Sequence, residues 1–355
     1  MKENNNTVIS TSFSKRFVSK NAITLYIVIL FFAIYAIGFY TNSISRQMLN
    51  MLVTFSCYIL LAVSLNLVVG FLGELSLGHA AFMSVGAYSG CILSVTLANQ
   101  MPEMALWIRL PLAMLFGGLV AAVFGVIVGI PALRLDGDYL AIVTLAFGEI
   151  VKNIIINLKF TGGAIGYDTQ DIYQSPKSFA LFPYAAVAVF VAVVLVMNLT
   201  KSKHGRAITA VRDNKIAASA TGVNATYFKL VVFSFAAFLA GVAGVLWGHS
   251  GSIIKASTFD FNMSIEILVI VVLGGMGSIR GSVIAAVVLK LLPEVLRNLN
   301  EDLVKYRMLI YSVMLILIML FNSAPAFVAF RERLNIKNLF KGKKSKKEKD
   351  EKEVA

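Results

Sequence analysis

Few side chains in this sequence have the types and spacing for chemistry. The three histidines, His79, His204 and His249, are far apart in sequence, and no metal-ligand spacing, nucleophile elbow or phosphate-binding loop occurs. Cys57 and Cys91 lie inside apolar runs, which indicates neither a disulfide framework nor a thiolate metal site and casts them as packing or lipid-facing residues. Catalysis is not expected, and neither a metal nor a cofactor is called for. Without a Walker-type glycine loop, ATP-driven work must come from a separate subunit.

What remains is a small set of carboxylates and glycines in apolar surroundings. Glu74 stands among Gly70, Gly73 and Gly78, with Gly86 further on, and a second cluster holds Gly274, Gly275, Gly277 and Gly281. At membrane depth such glycines serve close helix packing or an unwound backbone that lines a pathway. A carboxylate beside a break needs a partner or water, which favours a pathway role for Gly73, Glu74, Gly274, Gly275 and Gly277. Glu149 is a further candidate, although Lys152 at i+3 on the same span offers it a simple ion pair.

A third segment is of another kind. Gly205-Arg206-Ala207 through Arg212-Asp213-Asn214-Lys215-Ile216-Ala217-Ala218 to Gly222-Val223-Asn224 is Ala-rich, able to form one helix, and ends at a glycine suited to a C-cap. Its composition also suits a solvated connector. Small residues at helical spacing with few charges favour a helix that packs into a partner's cleft.

These residues must be positioned by membrane helices. Of 355 residues, 58% are hydrophobic and 14% charged, far from the proportions of a soluble domain. The apolar residues come in long runs rather than alternating, so the fold class is all-α, a polytopic membrane helix bundle with broken helices, and not an outer-membrane barrel. Ten spans are expected, at 22–40, 48–70, 76–98, 109–131, 139–158, 182–200, 229–249, 262–275, 279–297 and 306–322. Residues 70–74 form the joint between the second and third, and 274–278 that between the eighth and ninth. The first run, Ala22 to Tyr40, is too long for a signal-peptide core and lacks a small-residue cleavage site, so it reads as a retained helix.

The net charge of +13 is concentrated in flanks. Arg331 to Ala355 holds ten basic and five acidic residues, and Lys201 to Lys229 holds six basic residues against Asp213. Placing Lys15, Arg16 and Lys20 inside puts the Arg134 turn, the 201–228 loop, the Arg280 turn and the tail on the same side, as the positive-inside rule requires. No nucleic-acid partner is implied, because the charge sits beside spans rather than on a folded basic surface. The chain thus divides into a cytoplasmic N-terminal segment, 1–21, a transmembrane domain, 22–322, with 201–228 as its sizeable cytoplasmic loop, and a Lys-rich cytoplasmic tail, 323–355. The tail is expected to be solvated and attracted to anionic membrane lipid. Residues 159–181 form a polar outer loop. Spans two to five and seven to ten start on opposite sides, the arrangement of an inverted repeat.

The runs LNLVVGFLGELSLGHAAFMSVGAY (65–88), GDYLAIVTLAFGEI (137–150), TGGAIG (161–166), GRAITAVRDNKIAASATGVN (205–224) and VVLGGMGSIRG (271–281) resemble the permease subunits of branched-chain amino acid ABC importers. The resemblance covers about residues 50–300, in order, and the GDYLAIVTLAFGEI and TGG runs are similar to the M-type permease rather than its H-type partner. It implies a multi-pass protein of the cell inner (plasma) membrane, paired with a second, H-type permease, two ATP-binding subunits and an extracytoplasmic substrate-binding protein. It also implies that Arg206, Arg212, Asp213, Ala217 and Gly222 belong to the ATPase-coupling segment, as docking rather than catalytic residues. Leucine, isoleucine and valine are the substrates it implies, with urea or short-chain amides as the alternative within the same family. A secondary amino acid transporter is the alternative outside it, and would carry its own ion-coupling carboxylates in mid-helix.

Overall fold

The computed structural model describes residues 46–101, 106–135, 137–169, 177–251 and 253–299, with Leu309, Ser312, Val313, Ile316 and Leu320 beyond them. The described helices are α1 (Arg46–Asn66), α2 (His79–Gln100), α3 (Leu106–Ala132), α4 (Asp138–Asn157), α5 (Lys177–Lys201), α6 (Lys203–Asp213), α7 (Lys215–Ala220), α8 (Ala225–Ser250), α9 (Phe261–Gly274) and α10 (Ile279–Leu299). Six described helical stretches are long and apolar enough to cross a membrane, and α9 is a shorter apolar helix. The expected spans from 48–70 to 279–297 all coincide with described helices. The run 22–40 and the segments 1–21 and 323–355 lie outside the described residues. Of 306–322, the five residues named above are described, and each is helical.

The chain divides into a unit ending at Lys290 and a second beginning at Leu291. In the second, the rest of α10 is helical, and Leu309, Val313, Ile316 and Leu320 are exposed. In the first, α8 is the hub, packed on α1, α2 and α3. The reason is visible in α3, where Ala113, Gly117, Ala121, Gly125 and Gly129 recur every four residues and are all buried. That stripe lies against α8, with a Cβ on Gly241 meeting the Ala121 Cβ at 2.5 Å and the Gly117 carbonyl oxygen at 2.8 Å. Between helices in lipid, such backbone proximity supplies the dispersion contacts that a hydrophobic driving force does not. The opposite face of α3 exposes Leu115, Phe116, Leu119, Val123, Phe124, Ile127 and Ile130, as a lipid-facing surface would.

At one end of the bundle the chain departs from simple helices. A π-helical segment, Leu67–Leu72, extends α1 and stops at Gly73, whose φ of +80° is left-handed. Residues 73–78 are then non-helical until α2 begins at His79. The break therefore overlaps the expected 70–74 bend but starts three residues later, because the extra turn carries Gly70 within the helix. At the other end, two short strands, β1 (Tyr167–Asp168) and β2 (Ile253–Ile254), pair antiparallel and tie the 158–169 loop to the segment after α8. Nothing in the sequence reading anticipated this ribbon in an all-α protein.

Candidate coupling and translocation site

The segment 205–224, expected to form one helix, is divided between two, α6 and α7. Ser202 caps α6, its hydroxyl accepting from the Gly205 amide. Asn214 then takes extended dihedrals, φ −159° and ψ 102°, and its side-chain oxygen accepts from the amides of Ile216 and Ala217. A side chain so disposed starts a new helix instead of continuing the old one. Helix α7 ends in a Schellman motif: the Val223 amide donates to the Ala218 carbonyl, the Gly222 amide to that of Ser219, and Gly222 has φ +88°. Here the glycine C-cap is found where expected. Val223 packs against Val211, Ala218 and Ala225, which folds α7 back on α6. The outcome is an exposed knob bearing Ile216, 84% exposed, and Ala217.

Arg212 faces the other way. Its Nη1 donates to the Gly70 carbonyl at 3.2 Å, while Nε and Nη2 donate to Asp213 Oδ1 at 2.9 and 2.8 Å. The Arg212 stem covers Gly73 so closely that a Cβ there would lie 2.6 Å from Arg212 Cγ. The first helix of the loop, α6, is thus one side chain away from the first broken span. Arg206, on the same helix, is exposed. Arg212, Asp213, Gly73, Glu74 and Lys229 line one cleft of about 770 Å³ with Lys215, Ile216 and Ser219.

Glu74 finds its partner in Lys229, near the start of α8, and both side chains are buried. Two charges removed from water at low dielectric hold together at a desolvation cost that nearly offsets their attraction, so losing either one is far more damaging than losing both. Glu149 pairs with Lys152 rather than with either break. The second break lies against the first: the Gly277 amide donates to Asn66 Oδ1 at 2.7 Å, and Asn66 Nδ2 donates to the Ser282 hydroxyl at 2.7 Å. Gly275 and Gly277 have φ +92° and +79°, while Gly274 packs so tightly that a Cβ would meet Gly281 and Ser282 backbone at 2.5 Å.

Polar groups continue from these breaks along α1. Ser64 Oγ and His79 Nε2 are 2.7 Å apart, and the Ala80 amide at the start of α2 donates to Ser264 Oγ on α9. The structure brings together Gly73, Glu74, Arg212, Asp213, Gly274, Gly275 and Gly277, which sequence reasoning named in two separate groups. That reasoning missed Lys229, Asn66 and Ser282, whose roles depend on partners up to 216 residues away. It also missed Glu266 and Lys290, lone charges in apolar spans that the rule applied to Glu74 would have found.

The sequence profile of the family described as branched-chain amino acid transport system / permease component matches residues 47–319. Among curated proteins, the high-affinity branched-chain amino acid transport system permease protein LivM of Salmonella typhimurium is 34% identical over 83% of this chain and 73% of its own. LivM of Escherichia coli is 33% identical over the same shares. The permease protein LivH of Salmonella typhimurium is 24% identical over 69% of this chain and 83% of its own. No solved structure matches. Long apolar helices, two glycine breaks in contact and a capped helical knob beside them are thus found in a multi-pass membrane protein that belongs to the branched-chain amino acid transport permease family.

Proposed function

We propose that the chain is the M-type permease of an ATP-driven importer that moves leucine, isoleucine and valine across the cell inner membrane into the cytoplasm. Its partners are an H-type permease, two ATP-binding subunits that receive the α6–α7 knob, and an extracytoplasmic binding protein that delivers the substrate. The observation that carries this reading is the Arg212 contact, which joins a helix shaped for docking to the carbonyl of Gly70 at the end of a broken span. Closure of an ATPase pair on Ile216 and Ala217 would move α6 and α7 as a rigid body, because Asn214 and Gly222 fix both ends of α7. The guanidinium would carry that movement to Gly70, and the Asn66–Gly277 bond onward to the second break. Both termini, the Arg134 turn and the 201–228 loop then lie in the cytoplasm, in keeping with their positive charge. The permease's own work is to open and close a pathway; ATP hydrolysis falls to the partners.

Co-expression with an H-type permease, the ATP-binding subunits and a binding protein, followed by reconstitution in proteoliposomes, tests the reading. ATP-dependent accumulation of labelled leucine, requiring the binding protein on the outside, is the expected result. Uptake that ignores ATP and follows an ion gradient would overturn it in favour of a secondary transporter.

A further inference from the structure

Farther along α1 from the breaks, a second pair of charges stands at membrane depth. Glu266 lies about 8 Å along α9 and Lys290 about 17 Å along α10, at the ~1.5 Å rise of a helix. Lys290 Nζ is 2.6 Å from Glu266 Oε1 and 3.5 Å from the centroid of the Tyr58 ring. The Tyr58 hydroxyl donates to the second oxygen, Glu266 Oε2, at 3.1 Å. Trp247 of α8 meets the Tyr58 ring edge-on at 6.0 Å and fixes its plane. Four helices therefore converge on one ammonium held between a carboxylate and an aromatic face.

Unlike Glu74 and Lys229, this pair is not sealed: the side chains of Glu266 and Lys290 are 30% and 17% exposed. An ionisable pair at this depth that remains accessible is costly for packing alone. An aromatic face beside a carboxylate is a recognition site for any ammonium, not only that of lysine. We propose that Glu266, Lys290 and Tyr58 form a station for a zwitterionic α-amino acid in transit. The inference rests on the amino acid cargo argued above and adds where its charged end is received. The substrate ammonium takes the place of Lys290 between Glu266 and the Tyr58 ring, and the substrate carboxylate receives the displaced Lys290 ammonium. One pair is exchanged for two with no change in net charge, so neither protein charge is stranded while the site is occupied. A ligand carrying an ammonium without a carboxylate would leave Lys290 uncompensated and is rejected.

The test compares transport with stability in the full reconstituted complex, using labelled leucine delivered by saturating binding protein and the melting temperature of the purified complex. E266Q and K290M should each lower uptake at least tenfold and also lower the melting temperature. The double variant E266Q/K290M, which leaves no isolated charge, should recover the melting temperature but not the uptake. If uptake recovers together with stability, the pair is a structural strut and the station is refuted. Y58L, which removes the π face and hydroxyl of a buried ring, gives an independent reading: it lowers the melting temperature, and uptake per folded complex should still fall at least fivefold, whereas undiminished uptake per folded complex overturns the station. Wild-type complex that fails to accumulate leucine condemns the functional reading and the station with it, whereas recovery of uptake in the double variant condemns the station alone.

Discussion

Along the seam of α2, α3 and α8, Gly86, Gly117 and Gly241 keep helical backbone, and each would clash with a neighbouring helix if it carried a side chain. At the paired breaks, Gly73, Gly275 and Gly277 have positive φ, and a Cβ on Gly275 or Gly277 would meet nothing closer than 3.5 Å. One set exists to let helices approach, the other to let the chain leave the helix. At the seam glycines the neighbours are Ala121, Val245 and helix backbone, whereas the breaks gather Glu74, Lys229, Arg212 and Asn66. Close helix approach and departure from the helix are thus built from the same residue type in different backbone states. Gly275 and Gly277 serve the second use in open space, whereas Gly73 serves it under the Arg212 stem.

The sharpest way to test that division is at the buried ion pair. Replacing Glu74 with Leu strips the Lys229 ammonium of its counter-charge and should cost about 3–5 kcal/mol, seen as lost yield and a lower melting temperature. The double change to Leu at Glu74 and Lys229 should restore most of the stability and leave leucine uptake impaired. Full recovery of uptake would make the break end a second packing seam.

A smaller effect, of about 1–3 kcal/mol, is expected when Gly241 is replaced by Leu, because overpacking forces α3 and α8 apart. Yield and uptake should fall in proportion. Gly275→Ala enters open space, so its cost is backbone strain of about 1–2 kcal/mol, and uptake should fall by more than the loss of folded complex explains. Equal proportionality in both variants would erase the distinction between the two glycine sets.

The smallest effect on stability is expected at the knob. Ala217→Trp lies on an exposed surface and should leave membrane insertion and the melting temperature of the permease unchanged. Co-purification of the ATP-binding subunit, or the stimulation of ATP hydrolysis by loaded binding protein, should be lost. Undiminished stimulation would move the coupling role to the Arg134 turn or the turn at Arg280.

Length and hydropathy of each run were enough to place the described helices other than α6 and α7, since a helix in lipid must satisfy its own backbone and needs about 20 apolar residues to cross. The Gly222 cap and the Glu149–Lys152 pair were legible for a related reason, because each is decided by residues a few positions apart. Asn214 was legible in principle: its capping bonds reach two and three residues ahead, but an Ala-rich neighbourhood concealed the break. Glu74 could be recognised as needing a partner, yet Lys229, 155 positions on, read as one more charge of a basic loop. The same holds for Asn66 with Gly277, for Arg212 with Gly70 and for Glu266 with Lys290 and Tyr58. Helix identity, local caps and the requirement for a partner follow from the sequence because they are short-range properties of the chain. Which partner answers each requirement, and whether a glycine serves approach or escape, depends on which helices touch, and that is decided by close packing across the folded bundle.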